Sequence, residues 1–166
     1  MTPISRRDAL TALAGTTAAL IGPTDRPTVL PPFRRSGRLK QSVCQWCYAK
    51  MPLEELCREA KAMGLKSVEL LGEKDWPTVK RFGLICAMAN GPSTITVGFN
   101  RPDQHDRLVA ESARMIPMIA ELGFPNMIVF SGNRGGMAEG EGIENCVNGL
   151  KRVMPTAERY GVTVCM

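Results

Sequence analysis

Apolar positions along this chain fall into short continuous runs separated by longer stripes at helical spacing. The run Met127, Ile128, Val129, Phe130 follows the turn Gly123-Phe124-Pro125-Asn126 and leads into Ser131-Gly132. The same order recurs at 64–72 around Val68, Leu70 and Leu71, and at 83–91 around Leu84, Ile85 and Met88. It begins again at Gly161 with Val162 and Val164. Short runs that are apolar on both faces suit strands of a covered parallel sheet. Strands are expected at 41–44, 67–70, 84–89 and 126–130, with a fifth starting at Val162.

The stripes between the runs predict four helices. The first starts near Pro52, which suits a first helical position. It buries Leu53, Leu56, Cys57, Ala60 and Met63, and Gly64 closes it as a left-handed cap. A short second helix covers about 75–82. The third covers about 105–122, with Leu108, Met115, Ile116, Ile119 and Leu122 inward and Pro117 inside the pattern. The fourth covers about 143–160, with Val147, Leu150, Met154 and Ala157 inward and a second interior proline, Pro155.

Alternating strands and helices place the chain in the α/β class. The helix-to-strand connections are tight, whereas the strand-to-helix loops vary and carry the polar residues, the longest at 90–104. That asymmetry predicts a partial (β/α)8 TIM barrel of about five parallel strands and four helices, with its site at the C-terminal strand ends. An open doubly wound sheet is the alternative. The last residue, Met166, falls within the fifth run. The expected object is therefore a barrel truncated at strand five, with strands one and five as apolar edges.

Charge changes the picture mainly at the N-terminus. Residues 1–40 hold seven basic residues (Arg6, Arg7, Arg26, Arg34, Arg35, Arg38, Lys40) against Asp8 and Asp25. Residues 41–166 hold 14 basic and 14 acidic side chains, so the body is formally neutral. A nucleic-acid-binding body would carry a basic excess. Residues 1–22 pair Arg6-Arg7 with the apolar, small-residue run 9–21. That run is too short to span a bilayer, which takes about 20 residues, and suits a signal core. The segment resembles a twin-arginine export signal, although Ala9 stands where a bulky apolar residue is usual. It implies handling by the twin-arginine (Tat) export machinery, a periplasmic destination and no membrane anchor. Residues 23–40 read as a Pro- and Arg-rich linker.

Candidate site residues lie where strands end. Trp46 and Tyr48, in the first strand-to-helix loop, can wall a pocket or simply pack. Glu69, in the second run, can hold a substrate hydroxyl or form an ion pair. Asn90, Ser131 and Asn133 stand at strand ends and can contact substrate or cap loops. His105, the one histidine, can reach the mouth or pair with Asp103 or Asp106 at a helix start. The loop Gly132-Asn133-Arg134-Gly135-Gly136 can cradle an anion. Cys44-x-x-Cys47 raises thiol–disulfide exchange, but a thioredoxin-type motif opens a helix, and Lys50-Met51-Pro52 intervene here. Cys57, Cys86, Cys146 and Cys165 fall on apolar faces, where free cysteine acts as a small hydrophobe.

Ser42-Val43-Cys44-Gln45-Trp46-Cys47-Tyr48, Pro52-Leu53-Glu54-Glu55-Leu56-Cys57 and Gly64-Leu65-Lys66-Ser67-Val68-Glu69-Leu70-Leu71-Gly72 together resemble the hydroxypyruvate isomerase-like family of the xylose isomerase-like barrels. Asp75-Trp76-Pro77, Ala87-Met88-Ala89-Asn90-Gly91, Asn126-Met127-Ile128-Val129-Phe130-Ser131-Gly132 and Asn145-Cys146-Val147-Asn148-Gly149-Leu150 add to the resemblance. It covers about residues 40–166. The resemblance implies a small hydroxy-carbonyl or sugar substrate and a divalent metal, Mg or Mn, in the intact protein. It also implies two glutamates that shuttle a proton between neighbouring carbons, and it allows a homo-oligomer. Those glutamates and the metal ligands are expected beyond Met166, so this stretch alone is expected to be inactive and to bind no metal. A keto-sugar epimerase and a non-catalytic exported binding protein on the same barrel are the alternatives.

Overall fold

The computed structural model describes residues 39–166. The expected signal segment and nearly all of the linker lie outside the described residues. Strands β1 (Ser42–Cys44), β2 (Ser67–Glu69), β3 (Ala89–Asn90), β4 (Asn126–Ile128) and β5 (Thr163–Cys165) alternate with helices α1 (Leu53–Ala62), α2 (Trp76–Arg81), α3 (His105–Glu121) and α4 (Glu139–Tyr160).

One device sets the junction after every helix. Gly64, Gly83, Gly123 and Gly161 adopt φ of 78°, 66°, 71° and 66°, a left-handed conformation that costs a Cβ-bearing residue about 1–2 kcal/mol. The next N–H then reaches back five residues: Leu65 to Ala60, Leu84 to Val79, Phe124 to Ile119 and Val162 to Ala157. These bonds satisfy carbonyls that a helix end leaves orphaned. Leu84, Phe124 and Val162 drop straight into the core, and Leu65 packs against it. The turn that stops each helix thus also anchors the strand that follows.

All strand pairs are parallel. β1 pairs with β2, and β3 with β4 and β4 with β5. The two sheets meet through a Ser67–Ile85 bridge and bonds from Val68 N to Ile85 O (3.0 Å), Leu70 N to Met88 O (2.9 Å) and Asn90 N to Leu71 O (3.0 Å). Neighbours therefore follow chain order from β1 to β5. A doubly wound sheet reverses its strand order at a switch point, and no reversal occurs among the described residues. The architecture is a partial barrel, and β1 and β5 each have one strand partner among those residues.

The third strand departs from the expected 84–89. Regular pairing is confined to Ala89–Asn90. The Met88 N–H donates to Glu69 Oε2 at 2.6 Å, and the Cys86 thiol donates to the Met88 carbonyl at 3.2 Å. A side chain has captured a backbone donor there, so the ladder is interrupted. β2 and β4 stop short of their runs, leaving Leu70, Val129 and Phe130 outside regular strand, while β1 and β5 each start one residue later than expected.

Val68 and Met127 are buried in one core with Leu56, Cys57, Ala60, Leu108, Ile116 and Ile119. Burying each large apolar side chain contributes about 1.5–3 kcal/mol. Trp76 is also buried there, its Nε1–H donating to the Leu71 carbonyl at 3.0 Å and its ring meeting Phe124 edge-on at 6.1 Å. Met63, expected inside, is exposed, because the α1 cap turns it away. Helix α4 starts four residues before the expected 143, with Glu139 and Glu141 in its first turn, where negative charge suits the helix dipole. Its buried face is Cys146, Gly149, Val153 and Ala157. Val147 and Met154 are exposed instead, and Leu150 is half-buried.

Candidate functional site

Where the strands end, loops enclose an open groove of about 780 Å³. Trp46 follows β1, Leu70 follows β2, Asn90 ends β3, and Phe130 follows β4. The β3–α3 loop contributes Gly91, Ser93, Thr94, Ile95 and Thr96. Two aromatic side chains therefore share the groove with an amide and several hydroxyls. That mixture suits a small polyhydroxylated ligand, which presents C–H faces and hydroxyl edges together.

The loop is held over the groove by backbone pairing. Phe99 N donates to Phe130 O (3.1 Å), Asn100 N to Ser131 O (2.8 Å) and Asn133 N to Thr96 O (3.0 Å). Ser93 Oγ accepts the Phe130 N–H at 2.6 Å. Gly98 permits this approach: a Cβ there would lie 2.0 Å from the Phe130 carbonyl oxygen. On the opposite side, Asn90 Nδ2 donates to the Leu70 carbonyl at 2.8 Å. Leu70 has φ of 60°, the one positive φ outside glycine among the described residues. Backbone strain of this kind costs about 1–3 kcal/mol and clusters at sites; here it sits on the groove wall.

Glu69 stands beside this groove but is already engaged. It is buried, takes the Ser67 hydroxyl on Oε1 at 2.5 Å, and takes the Met88 N–H on Oε2. Neither an ion pair nor an open substrate contact describes it; it is a positioning residue for the β3 backbone. Burial raises the Cys86 thiol to about 11, and the nearby Glu69 charge adds to the rise. Burial also raises Cys44, with Cys47 and Glu69 adding to it.

Of the candidates, the structure brings Trp46 and Asn90 together and separates the rest. His105 is buried at the start of α3, its Nε2 2.8 Å from the Phe99 carbonyl. Its ring is packed against Gly149 of α4, where a Cβ would lie 2.8 Å from Nε2. It therefore neither lines the groove nor pairs with Asp103 or Asp106. Ser131 lines a different, apolar hollow of about 300 Å³ with Met137, Ile143, Val147 and Leu150. Asn133 presents its carbonyl to Asn100 Nδ2 at 2.9 Å, and its side chain lines neither cavity. Tyr48 lies with Cys47, Lys50 and Met51 in another hollow, which Trp46 also borders. In the glycine loop the Asn133 N–H donates to the Thr96 carbonyl, and Arg134 Nε donates to Met137 O at 2.8 Å. Sequence reasoning missed Leu70, Thr94, Ile95, Thr96 and Phe130. Their common signal was position after an apolar run or inside the long polar loop.

Among the described residues no group of three or more His, Cys, Asp or Glu side chains is placed to hold a metal ion. The described residues do not by themselves fit the implied divalent metal.

No family model matches the chain, and no curated protein sequence matches it. Solved structures do. A D-psicose 3-epimerase from Clostridium cellulolyticum is 12% identical with a TM-score of 0.59, over 77% of this chain and 52% of that one. A 3-keto-D-glucoside 4-epimerase from E. coli is 19% identical with a TM-score of 0.58, over 76% and 55%. A xylose isomerase domain protein from Planctomyces limnophilus is 13% identical with a TM-score of 0.52, over 75% and 52%. The chain spans about half the length of each of these structures. The chain has the fold of a partial (β/α)8 barrel, similar to part of each of these structures.

Proposed function

We propose that this chain is the sugar-recognising part of a sugar isomerase or epimerase barrel that acts on a small hydroxy-carbonyl compound. The groove carries this reading: Trp46 and Phe130 stand with Asn90 and Thr96 at the C-terminal strand ends, where barrels of this class keep their sites. The resemblance at Ser42–Cys44 and its following turn favours the hydroxypyruvate isomerase type. The solved neighbours named as keto-sugar epimerases favour a keto-sugar as second reading.

Both reactions move a proton between or at carbons beside a carbonyl, so both need a base and an acid near the reacting carbon. Glu69, the buried carboxylate of the described residues, accepts a bond on each oxygen and is not part of the groove lining, so it is assigned to positioning. The role assigned to this chain is binding and orientation: aromatic faces against the carbon skeleton, amide and hydroxyl groups against its oxygens. A binding protein on the same scaffold would use the same groove without turnover.

A fluorescence titration tests this reading. Hydroxypyruvate, D-psicose and D-tagatose are each added while tryptophan emission is followed. The expected result is a saturable change in the millimolar range, about −4 kcal/mol of binding, that is lost in Trp46→Phe. An unchanged signal with every hydroxy-carbonyl compound would remove the sugar reading.

We also propose that residues 1–22 direct export through the twin-arginine route. Replacing Arg6 and Arg7 together by lysine is expected to leave the precursor in the cytoplasm of a bacterial host. Unimpaired export would overturn it.

A further inference from the structure

The Cys44-x-x-Cys47 pair lies outside the function proposed above. Cys44 is the last residue of β1, half-buried and opposite Glu69 in the parallel ladder. It immediately precedes the 3-10 turn Gln45–Tyr48, whose third residue is the exposed Cys47. Cys44 is itself extended, with φ of −88° and ψ of 126°, and the turn backbone between the two cysteines sets their Cα atoms about 6 Å apart, three residues of 3-10 rise. A disulfide needs Cα atoms about 4.4–6.8 Å apart, so this spacing falls within the required range. Trp46, which lines the groove, lies inside the loop such a bond would close.

We propose that Cys44 and Cys47 form a reversible dithiol–disulfide couple that fixes the Trp46 wall of the groove. Cys47 is the accessible thiol and reacts first. Its thiolate attacks one sulfur of a small disulfide such as glutathione disulfide, forming a Cys47–glutathione mixed disulfide and releasing one glutathione thiolate. Cys44, deprotonated, then attacks the Cys47 sulfur, forms the internal bond and expels the second glutathione. The balance is two protein thiols and one small disulfide giving one protein disulfide and two small thiols. The reverse step needs only excess small thiol. Burial and the charges of Cys47 and Glu69 hold the Cys44 thiol up, so the second step is slow at neutral pH and quickens as pH rises. The closed loop fixes the backbone on both sides of Trp46, whereas the open dithiol leaves the turn free to adjust.

The sequence makes the test direct. Trypsin cuts after Lys40 and Lys50, so one peptide carries Cys44 and Cys47 with no other cysteine. The full chain is equilibrated in glutathione buffers of rising oxidised-to-reduced ratio, quenched in acid, alkylated and digested. The expected product is a peptide lighter by two hydrogens that takes up no alkylating agent and returns to the dithiol on added reduced glutathione. In Cys44→Ser the same peptide should stop at the Cys47–glutathione adduct. Trp46 emission should shift with the same midpoint as the peptide, and the shift should vanish in Trp46→Phe. The proposal is overturned if both cysteines remain alkylatable in the most oxidising buffer. It is equally overturned if the unmodified chain stops at the Cys47–glutathione adduct, or if Trp46 emission ignores the bond.

Discussion

Gly98 and Gly132 bring two loops into contact backbone on backbone. A Cβ on Gly98 would meet the Phe130 carbonyl oxygen at 2.0 Å, and one on Gly132 would meet Asn100 Oδ1 at 2.5 Å. The Phe130 oxygen is backbone, as is the Gly98 nitrogen 2.7 Å from a Cβ on Gly132, and neither can swing aside. Gly98→Ala should therefore lower stability by about 3 kcal/mol or more, within the range of severe single substitutions. Gly140→Ala, inside α4 with open space around it, should raise stability by about 0.5–1 kcal/mol. Chemical denaturation of the two variants checks both signs. Cys86 supplies a pH test. Its folded thiol is held near 11 by burial, above the ordinary thiol value of 9.0, so its stabilising contribution is whole below pH 9 and is lost as pH rises toward about 11. Denaturation midpoints measured across that window should fall less steeply in Cys86→Ala than in the parent chain. Little of this was legible in the sequence. Trp46 and Asn90 could be read because they follow apolar runs directly, whereas the bonds that occupy Glu69 and His105 come from residues 19 and 6 positions away.

At the scale of elements, the helix ends were the most legible feature, because glycine followed by a large apolar residue is a local signal with a local cause. The phase of α4 was not legible. Its inward face is centred on Gly149, which presses against Phe99 and His105, and a glycine adds nothing to an apolar count. The reading consequently rotated the face toward Val147 and Met154. The structure predicts that Val153→Ala, at a fully buried position, costs about 1–3 kcal/mol, while Val147→Ala changes stability by less than about 0.5 kcal/mol. The reverse order in thermal melts would mean that α4 sits in the other phase. The shortening of β3 was equally invisible, since it depends on a carboxylate from β2 taking the Met88 N–H. Pro117 shows that a local penalty can be outweighed: α3 runs from His105 to Glu121 through it, with Met115, Ile116 and Ile119 buried on either side.

For the whole molecule, chain order is the informative quantity. Parallel neighbours from β1 through β5, joined by helices that all end in the same turn, place every strand's C-terminal end on one side. The groove forms there because four successive strand ends and one long loop converge, and no single motif announces it. Its composition supports sugar recognition, and its location is what a barrel of this class provides. Two-dimensional amide NMR of the chain during titration with D-psicose or hydroxypyruvate tests that central claim most directly. The account predicts saturable shifts confined to Trp46, Leu70, Asn90, Thr94, Thr96 and Phe130. Shifts centred instead on Met137, Ile143 and Val147, or none at millimolar ligand, would contradict it.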